Sequence, residues 1–277
     1  MPAPSLFPPQ FPDSAASAAY VDVVSSAPPS PYTWLHFNSP LSPARAAGMV
    51  DRLARSRPST VLDLGCGWGE LLLQLLVAAP GAVGVGVDTD TGLLARGRGN
   101  AEARGLADRV EFVASPVADF VRTAGTAGDL TLCVGSSHVF SDAAPPAHTV
   151  ESLRALREMA GTGGRVLFGE GFWQRPPTAG ELAGMWPDTS SDEFTDLAGL
   201  VALAAGAGFR PLWIETASMD EWEHFESAYL LSREEWLAAH GDHAEADTVR
   251  AALDTHRSHW LAYRGILGFA YLTLLAC

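Results

Sequence analysis

The sequence predicts an α/β fold of the doubly wound kind, a mainly parallel sheet with helices on both faces. Three observations carry that prediction. Short β-favouring runs alternate with helix-forming stretches through most of the chain, the rhythm of parallel strands joined by crossover helices. One run, Val61 to Leu64, passes directly into a turn with three glycines and then a helix-forming stretch from Glu70 to Ala79. The next run, Val83 to Val87, ends in Asp88. An acidic side chain at the tip of the second strand of such a unit is placed to grip both hydroxyls of a ribose.

The elements follow in order. Residues 1–31 are rich in Pro, Ser and Ala and are expected to be irregular or only partly ordered. An aromatic cluster, Trp34 to Asn38, precedes Pro40. A first helix is expected over 43–55, with Ser42 as its cap and Pro43 at its first position. Strands at 61–64, 83–87, 110–114, 129–134 and 164–169 then alternate with helices at 70–79, 91–104, 117–123 and 146–160. A helix over 194–207 leads into a strand at 209–216, and an apolar final strand is expected at 265–275. Two segments stand outside the repeat. Residues 172–192, with Pro176-Pro177 and Trp186-Pro187, read as a loop with one short helix, and 219–263 read as helical. The expected division is a Pro-rich N-terminal cover (1–40), an α/β core (41–218), a helical insertion (219–263) and a closing core strand (264–277).

Composition narrows the partners. All 18 basic residues are arginine, and 32 acidic residues leave a net charge of −14 with no basic cluster. Such a surface repels phosphate backbones and anionic lipid, which disfavours nucleic acid and membrane and favours a small-molecule partner. No apolar run is long enough to span a bilayer. Three scattered cysteines, 66, 133 and 277, make no disulfide framework, and a cytoplasmic location is expected.

The glycine spacing narrows the ligand. A dinucleotide loop reads G-x-G-x-x-G, whereas Gly65, Gly67 and Gly69 fall as G-x-G-x-G, with Glu70 where the third glycine would stand. A carboxylate there, and Asp63 just before the loop, would repel a pyrophosphate. Both suit a ligand with a cationic ammonium and sulfonium. The run D-L-G-C-G-W-G-E, followed by G-V-D, resembles the cofactor loop of class I S-adenosylmethionine-dependent methyltransferases of the small-molecule type. The resemblance rests on motifs from Pro40 to Phe172 and on architecture beyond them. It implies a three-layer sandwich around a seven-stranded sheet whose last strand is antiparallel, with the helical insertion as a lid. It also implies S-adenosyl-L-methionine as cofactor and in-line methyl transfer to a small-molecule acceptor, in specialised metabolism.

Site residues follow from that resemblance. Asp63, Gly65, Gly67, Asp88, Thr89 and Gly135 are expected around the cofactor; the alternative role of Asp88 is to cap the helix over 91–104. In the family an acidic residue usually follows the third strand and holds the adenine amino group. Pro116 stands there instead, so adenine contact is expected from Ser115 and the backbone near Val117. The segment after the fourth strand faces the transferable methyl, and His138 is the expected general base because imidazole titrates near neutral pH. Glu170, at the tip of the fifth strand between two glycines, would bind a substrate amine or accept a proton; its alternative is an ion pair with Arg175 or with an arginine of the insertion.

For the acceptor, Trp34, His36, Phe37 and Asn38 resemble the segment that closes over cofactor and substrate, although packing of the tail explains Trp34 better. Trp173 offers a further aromatic face. Trp222, Phe225, Glu226 and Tyr229 share one face of a helix. That is first a core stripe, but an inward carboxylate at Glu226 needs a partner. His256 and His259 lie at helical spacing, yet no ligand set completes a tetrahedral site, and no metal is expected.

Three other readings stay open. The same fold and cofactor could serve cyclisation or elimination on the sulfonium, with no methyl acceptor. A nucleoside-binding regulator would keep the glycines and Asp88 without turnover. A nicotinamide oxidoreductase is disfavoured by Asp63 and Glu70.

Overall fold

The alternation read from the sequence is realised as one sheet between two helical layers. The computed structural model describes residues 27–124, 128–141 and 143–277; most of the Pro-rich N-terminal stretch lies outside the described residues. In chain order the elements are α1 Pro43–Ala54, β1 Thr60–Leu64, α2 Glu70–Ala78, β2 Val83–Asp88, α3 Thr91–Ala103, β3 Val110–Ala114, α4 Val117–Ala124 and β4 Leu130–Val134. There follow α5 Ala147–Ala160, β5 Arg165–Trp173, the single-turn α6 Ala179–Leu182, α7 Leu197–Gly206, β6 Phe209–Thr216, α8 Met219–Ala239, α9 Ala246–Tyr263 and β7 Leu267–Ala276.

The seven strands run in the order β3-β2-β1-β4-β5-β7-β6. Pairings among β1 to β5 are parallel, and β7 is antiparallel to both neighbours. Four of the five β1 residues are buried, as expected of a strand covered on both faces. On one face Met49 and Leu53 of α1, Leu72, Leu75 and Leu76 of α2 and Leu94 of α3 form the core. On the other, Leu153, Leu156 and Met159 of α5 and Leu200 and Ala204 of α7 pack on Phe168, Leu272 and Leu274.

The helix α1 buries Ala46, Met49, Val50 and Leu53, one stripe at helical spacing. It starts at Pro43, with the Ser42 side chain accepting from the Arg45 N–H as expected. One strand departs from its expected length. β5 continues past Gly169 to Trp173, because β7 pairs with it over its whole length, from Arg165↔Leu275 to Trp173↔Leu267. Its partner on the other side stops at Val134↔Gly169. Glu170 therefore lies inside a strand rather than at its tip, though at the first residue beyond the β4 pairing.

The α8–α9 hairpin joins β6 to β7 and packs back on the first helical layer. Ser218 and Glu221 form a capping box at the start of α8. Trp222 of α8 stacks on Trp260 of α9 at 6.1 Å and meets Tyr263 edge-on at 5.8 Å. No helix among the described residues is long and apolar enough to cross a membrane.

Candidate active site

Strand order reverses between β1 and β4, and open α/β sheets place ligands in the crevice beyond the strand ends at such a point. Gly65 follows β1 and Gly135 follows β4, with φ of +71° and +70°. The Ser136 hydroxyl donates to the Leu64 carbonyl at 2.7 Å, tying the two loops together. A Cβ on Gly65 would lie 2.4 Å from Ser136 Cβ, so both the backbone angle and the close approach require glycine there.

The glycine loop is closed by backbone hydrogen bonds. Gly65 and Cys66 N–H groups donate to the Val87 carbonyl at 2.9 and 3.0 Å. Asp88 accepts from the Gly67 N–H through Oδ2 at 2.8 Å and from the Asp90 N–H through Oδ1 at 2.9 Å. The helix cap that Asp88 could have supplied belongs instead to Asp90, whose side chain accepts from Gly92 and Leu93 N–H groups. Asp88 is thereby released to face the crevice.

That crevice encloses about 330 Å³ and is lined by Asp63, Gly65, Gly67, Asp88, Thr89, Gly135 and His138, with Phe37 and Asn38 from the N-terminal segment. Asp63 is 6 % exposed. Burial, reinforced by the nearby Asp88 charge, pushes its carboxyl up to about 7. No cationic side chain among the described residues pairs with it. A buried carboxylate without a partner is costly unless a ligand supplies the charge, so the site fits a nucleoside that also carries an ammonium group.

The segment over this crevice is held by its carbonyl groups. Arg96 donates to the Tyr32 and Leu35 carbonyls at 2.8 and 3.0 Å, and Trp68 Nε1 to the His36 carbonyl at 3.0 Å. The Arg96 guanidinium also stacks 4.1 Å from the Trp68 ring centre. Leu35 and Phe37 are buried, whereas Trp34 is 40 % exposed. The packing expected of Trp34 is carried by its neighbours, because alternation turns it outward. His36 is exposed and lines neither the nucleoside crevice nor the cavity beyond it; it borders a smaller pocket against α8.

A second cavity of about 560 Å³ shares Gly135 and His138 with the first. Glu170, Glu193, His148, Phe194, Trp222 and Phe269 contribute to its wall. Glu170 is 6 % exposed. Its Oε1 accepts the Gly171 N–H at 3.0 Å, and its Oε2 has no partner. Burial raises its carboxyl to about 7, against the opposing pull of the Ser137 hydroxyl and the Gly171 N–H. The Ser137 hydroxyl is close enough to favour the ionised form without a well-aligned hydrogen bond. The ion pair considered for Glu170 is absent among the described residues, since Arg175 binds Glu181. Burial lowers the His148 pKa and raises that of Glu193. Trp222 Nε1 also lacks a partner.

Other expected site residues lie outside both cavities. Trp173 is buried, its indole N–H given to the Ser191 carbonyl at 2.9 Å. Glu226 is 2 % exposed and accepts from the Tyr263 hydroxyl and from His256 Nε2, so its partners are internal. Tyr229 stacks on His256 at 4.5 Å and meets Tyr32 edge-on at 5.9 Å. Ser115 gives its N–H to the Asp88 carbonyl at 3.0 Å, Pro116 is exposed and Val117 is buried. No group of three or more metal-ligating side chains is assembled among the described residues. Sequence reasoning missed Ser136, His148, Glu193, Phe194 and Phe269. Ser136 sits in the loop after β4 and could have been sought there; Glu193 and Phe194 lie in a loop with no periodicity to betray them.

A family model described as a methyltransferase domain matches residues 61–159. Over 229 residues the chain is 30 % identical to the uncharacterized protein YjhP of Escherichia coli K12, covering 82 % of this chain and 89 % of that one. It superposes on a SAM-dependent methyltransferase from Geobacter sulfurreducens, crystallised with S-adenosyl-L-homocysteine, with a TM-score of 0.77 at 26 % identity over 89 % of this chain and 96 % of that one. A SAM-dependent methyltransferase from Thiobacillus denitrificans, also crystallised with S-adenosyl-L-homocysteine, gives 0.76 at 26 % identity, with 89 % and 96 % covered. The chain belongs to the class I S-adenosylmethionine-dependent methyltransferases. It is an enzyme of that type, with S-adenosyl-L-methionine as its cofactor.

Proposed function

We propose that the chain transfers a methyl group from S-adenosyl-L-methionine to a small-molecule acceptor lodged in the second cavity. The observation that carries the reading is the shared wall at Gly135 and His138, where the crevice containing Asp63 and Asp88 adjoins a chamber whose Glu170 has no ion-pair partner among the described residues. When bound, S-adenosyl-L-methionine supplies a sulfonium methyl already activated toward nucleophiles. Asp88 would hold the ribose hydroxyls with the lone pairs left free by Gly67 and Asp90. Asp63 and the loop at Gly65 and Gly67 would hold the ammonium end, and Thr89 and Gly135 would complete the walls. Ser115, Pro116 and the backbone at Val117 would border the adenine.

His138 and Glu170 would accept a proton from an acceptor that must lose one. Both line the chamber, and a carboxyl near 7 is suited to the task at neutral pH. The segment at 34–38 and the 219–263 hairpin would cover the site and exclude water, with Trp222 on the chamber wall. Trp173, Glu226 and Tyr229 would support that cover from behind rather than touch the acceptor.

The test is calorimetry with S-adenosyl-L-homocysteine, followed by incubation with methyl-labelled S-adenosyl-L-methionine and candidate acceptors. Tight binding and label transfer that requires an acceptor are expected. Absence of binding would overturn the cofactor assignment of these residues. Cofactor breakdown without any acceptor would replace methyl transfer by chemistry on the sulfonium itself.

A further inference from the structure

We propose that the second cavity selects an acceptor bearing a cationic nitrogen on an apolar or aromatic carbon frame, the nitrogen held between Glu170 and Glu193. The proposal rests on the methyl-transfer reading only in naming the ligand an acceptor; the chemistry of the cavity stands apart from it.

Among the described residues two carboxylates share this chamber and no arginine lines it. Elsewhere the chain pairs its acidic groups readily. Glu215 and Glu221 bind Arg45, Glu70 binds Arg104 and Glu181 binds Arg175. Glu170 and Glu193 form no ion pair among the described residues. Glu170 lines the wall, and its buried Oε2 has no well-aligned hydrogen bond, the Ser137 hydroxyl nearby notwithstanding. A buried carboxyl oxygen short of donors is destabilising, and an ammonium or amidinium against the Glu170 carboxyl would supply both a donor and the charge.

The rest of the wall fits such a group. Phe194, Trp222 and Phe269 present aromatic surface beside the carboxylates, and a cation is attracted to ring faces. Gly171 makes room for one of these rings, since a Cβ there would lie 2.6 Å from Phe194 Cε1. The basic groups on the wall are His138 and His148, and burial works against a charge on His148. The net charge of −14 adds a field that draws cations in and turns anions away. An acceptor atom elsewhere on the ligand would satisfy the Trp222 N–H.

Two matched series decide the matter: phenethylamine, phenethyl alcohol and phenylacetate, and hexylamine, hexanol and hexanoate. Each is titrated by calorimetry into the full chain saturated with S-adenosyl-L-homocysteine. In at least one series the amine is expected to bind about tenfold or more tighter than its alcohol and its acid. Glu193→Gln and Glu170→Gln are each expected to remove about that factor for the amine while leaving S-adenosyl-L-homocysteine affinity unchanged. The proposal is overturned if in both series an alcohol or acid equals its amine, if no amine binds while S-adenosyl-L-homocysteine does, or if the preference survives both substitutions together. The ligand series on the unaltered protein decides alone if a variant does not fold. Amine preference without S-adenosyl-L-homocysteine binding would sustain this proposal and sink the methyl-transfer reading.

Discussion

The Gly67 N–H donates to Asp88 Oδ2 at 2.8 Å, so the glycine loop after β1 and the carboxylate ending β2 form one hydrogen-bonded unit. Replacing Asp88 removes a loop support as well as the proposed ribose ligand. Asp88→Asn keeps one acceptor oxygen and is expected to weaken S-adenosyl-L-homocysteine binding about tenfold; Asp88→Ala is expected to cost about a hundredfold or more. Calorimetry measures both. Undiminished affinity in the alanine variant would remove Asp88 from the ligand's contacts.

Asp63 carries a pH signature. Its carboxyl, ordinarily near 3.8, stands at about 7 in the folded chain. A folded-state value raised above the unfolded one makes the folded chain hold an extra proton between the two, so stability from this group is full below the lower value and lost as pH rises through the upper. Asp63→Asn is therefore expected to stabilise the ligand-free protein at about pH 8, seen as a raised Tm and worth at most about 4 kcal/mol, while weakening cofactor binding. In the unaltered protein, binding should tighten from about pH 6 to about pH 8 with release of a proton. Titrations in buffers of different ionisation enthalpy read that proton directly; a flat profile would contradict the role.

Glu221 couples α8 to the first helix. Its carboxylate accepts from the Ser218 N–H at 2.8 Å, from the Ser42 hydroxyl at 2.7 Å and from Arg45 Nε at 2.9 Å. Burial would raise this carboxyl, but Arg45, Ser218 and Ser42 outweigh it and bring it down to about 2. A depressed value contributes stability above the unfolded pKa of 4.5 that is lost as pH falls through about 2. Glu221→Gln is expected to cost about 1–3 kcal/mol at neutral pH. Thermal unfolding should show the gap between variant and parent closing on acidification through that window.

Gly171 offers a way to alter the chamber and spare the nucleoside crevice. An added Cβ would press on Phe194, which already lies edge-on to Trp173 at 5.2 Å. Gly171→Ala is expected to cost about 1–3 kcal/mol of stability and to weaken acceptor binding, with S-adenosyl-L-homocysteine affinity unchanged. Equal losses for both ligands would mean that the two cavities are not separable.

What was legible in the sequence was local. The loop from Gly65 to Gly69, the end of β2 at Asp88 and the segment after β4 each announce themselves within a few residues, because one turn or one strand end imposes the residue types. The division of labour between Asp88 and Asp90 was not legible, since both suit a cap and only the loop's N–H groups decide between them. The true end of β5 depends on its antiparallel partner nearly a hundred residues later, which placed Glu170 within a strand. The chamber wall is harder still. His148, Glu193 and Phe269 come from a helix, an aperiodic loop and a distant strand, and tertiary packing alone brings them together.

The antiparallel pairing of β6 with β7 has an evolutionary consequence. The α8–α9 excursion leaves from Thr216 and returns at Leu267, and Thr216 is paired with Ala270. At the last pair of that ladder, Thr216 and Ala270, the two strands stand about one strand spacing apart, roughly 4.8 Å. A hairpin of another length can be grafted there without changing the sheet order, provided it keeps the packing that Ala228 shares with Trp68 of the glycine loop. Exchange of that hairpin would alter the chamber wall at Trp222 while leaving Gly65, Gly67 and Asp88 in the sheet half of the enzyme.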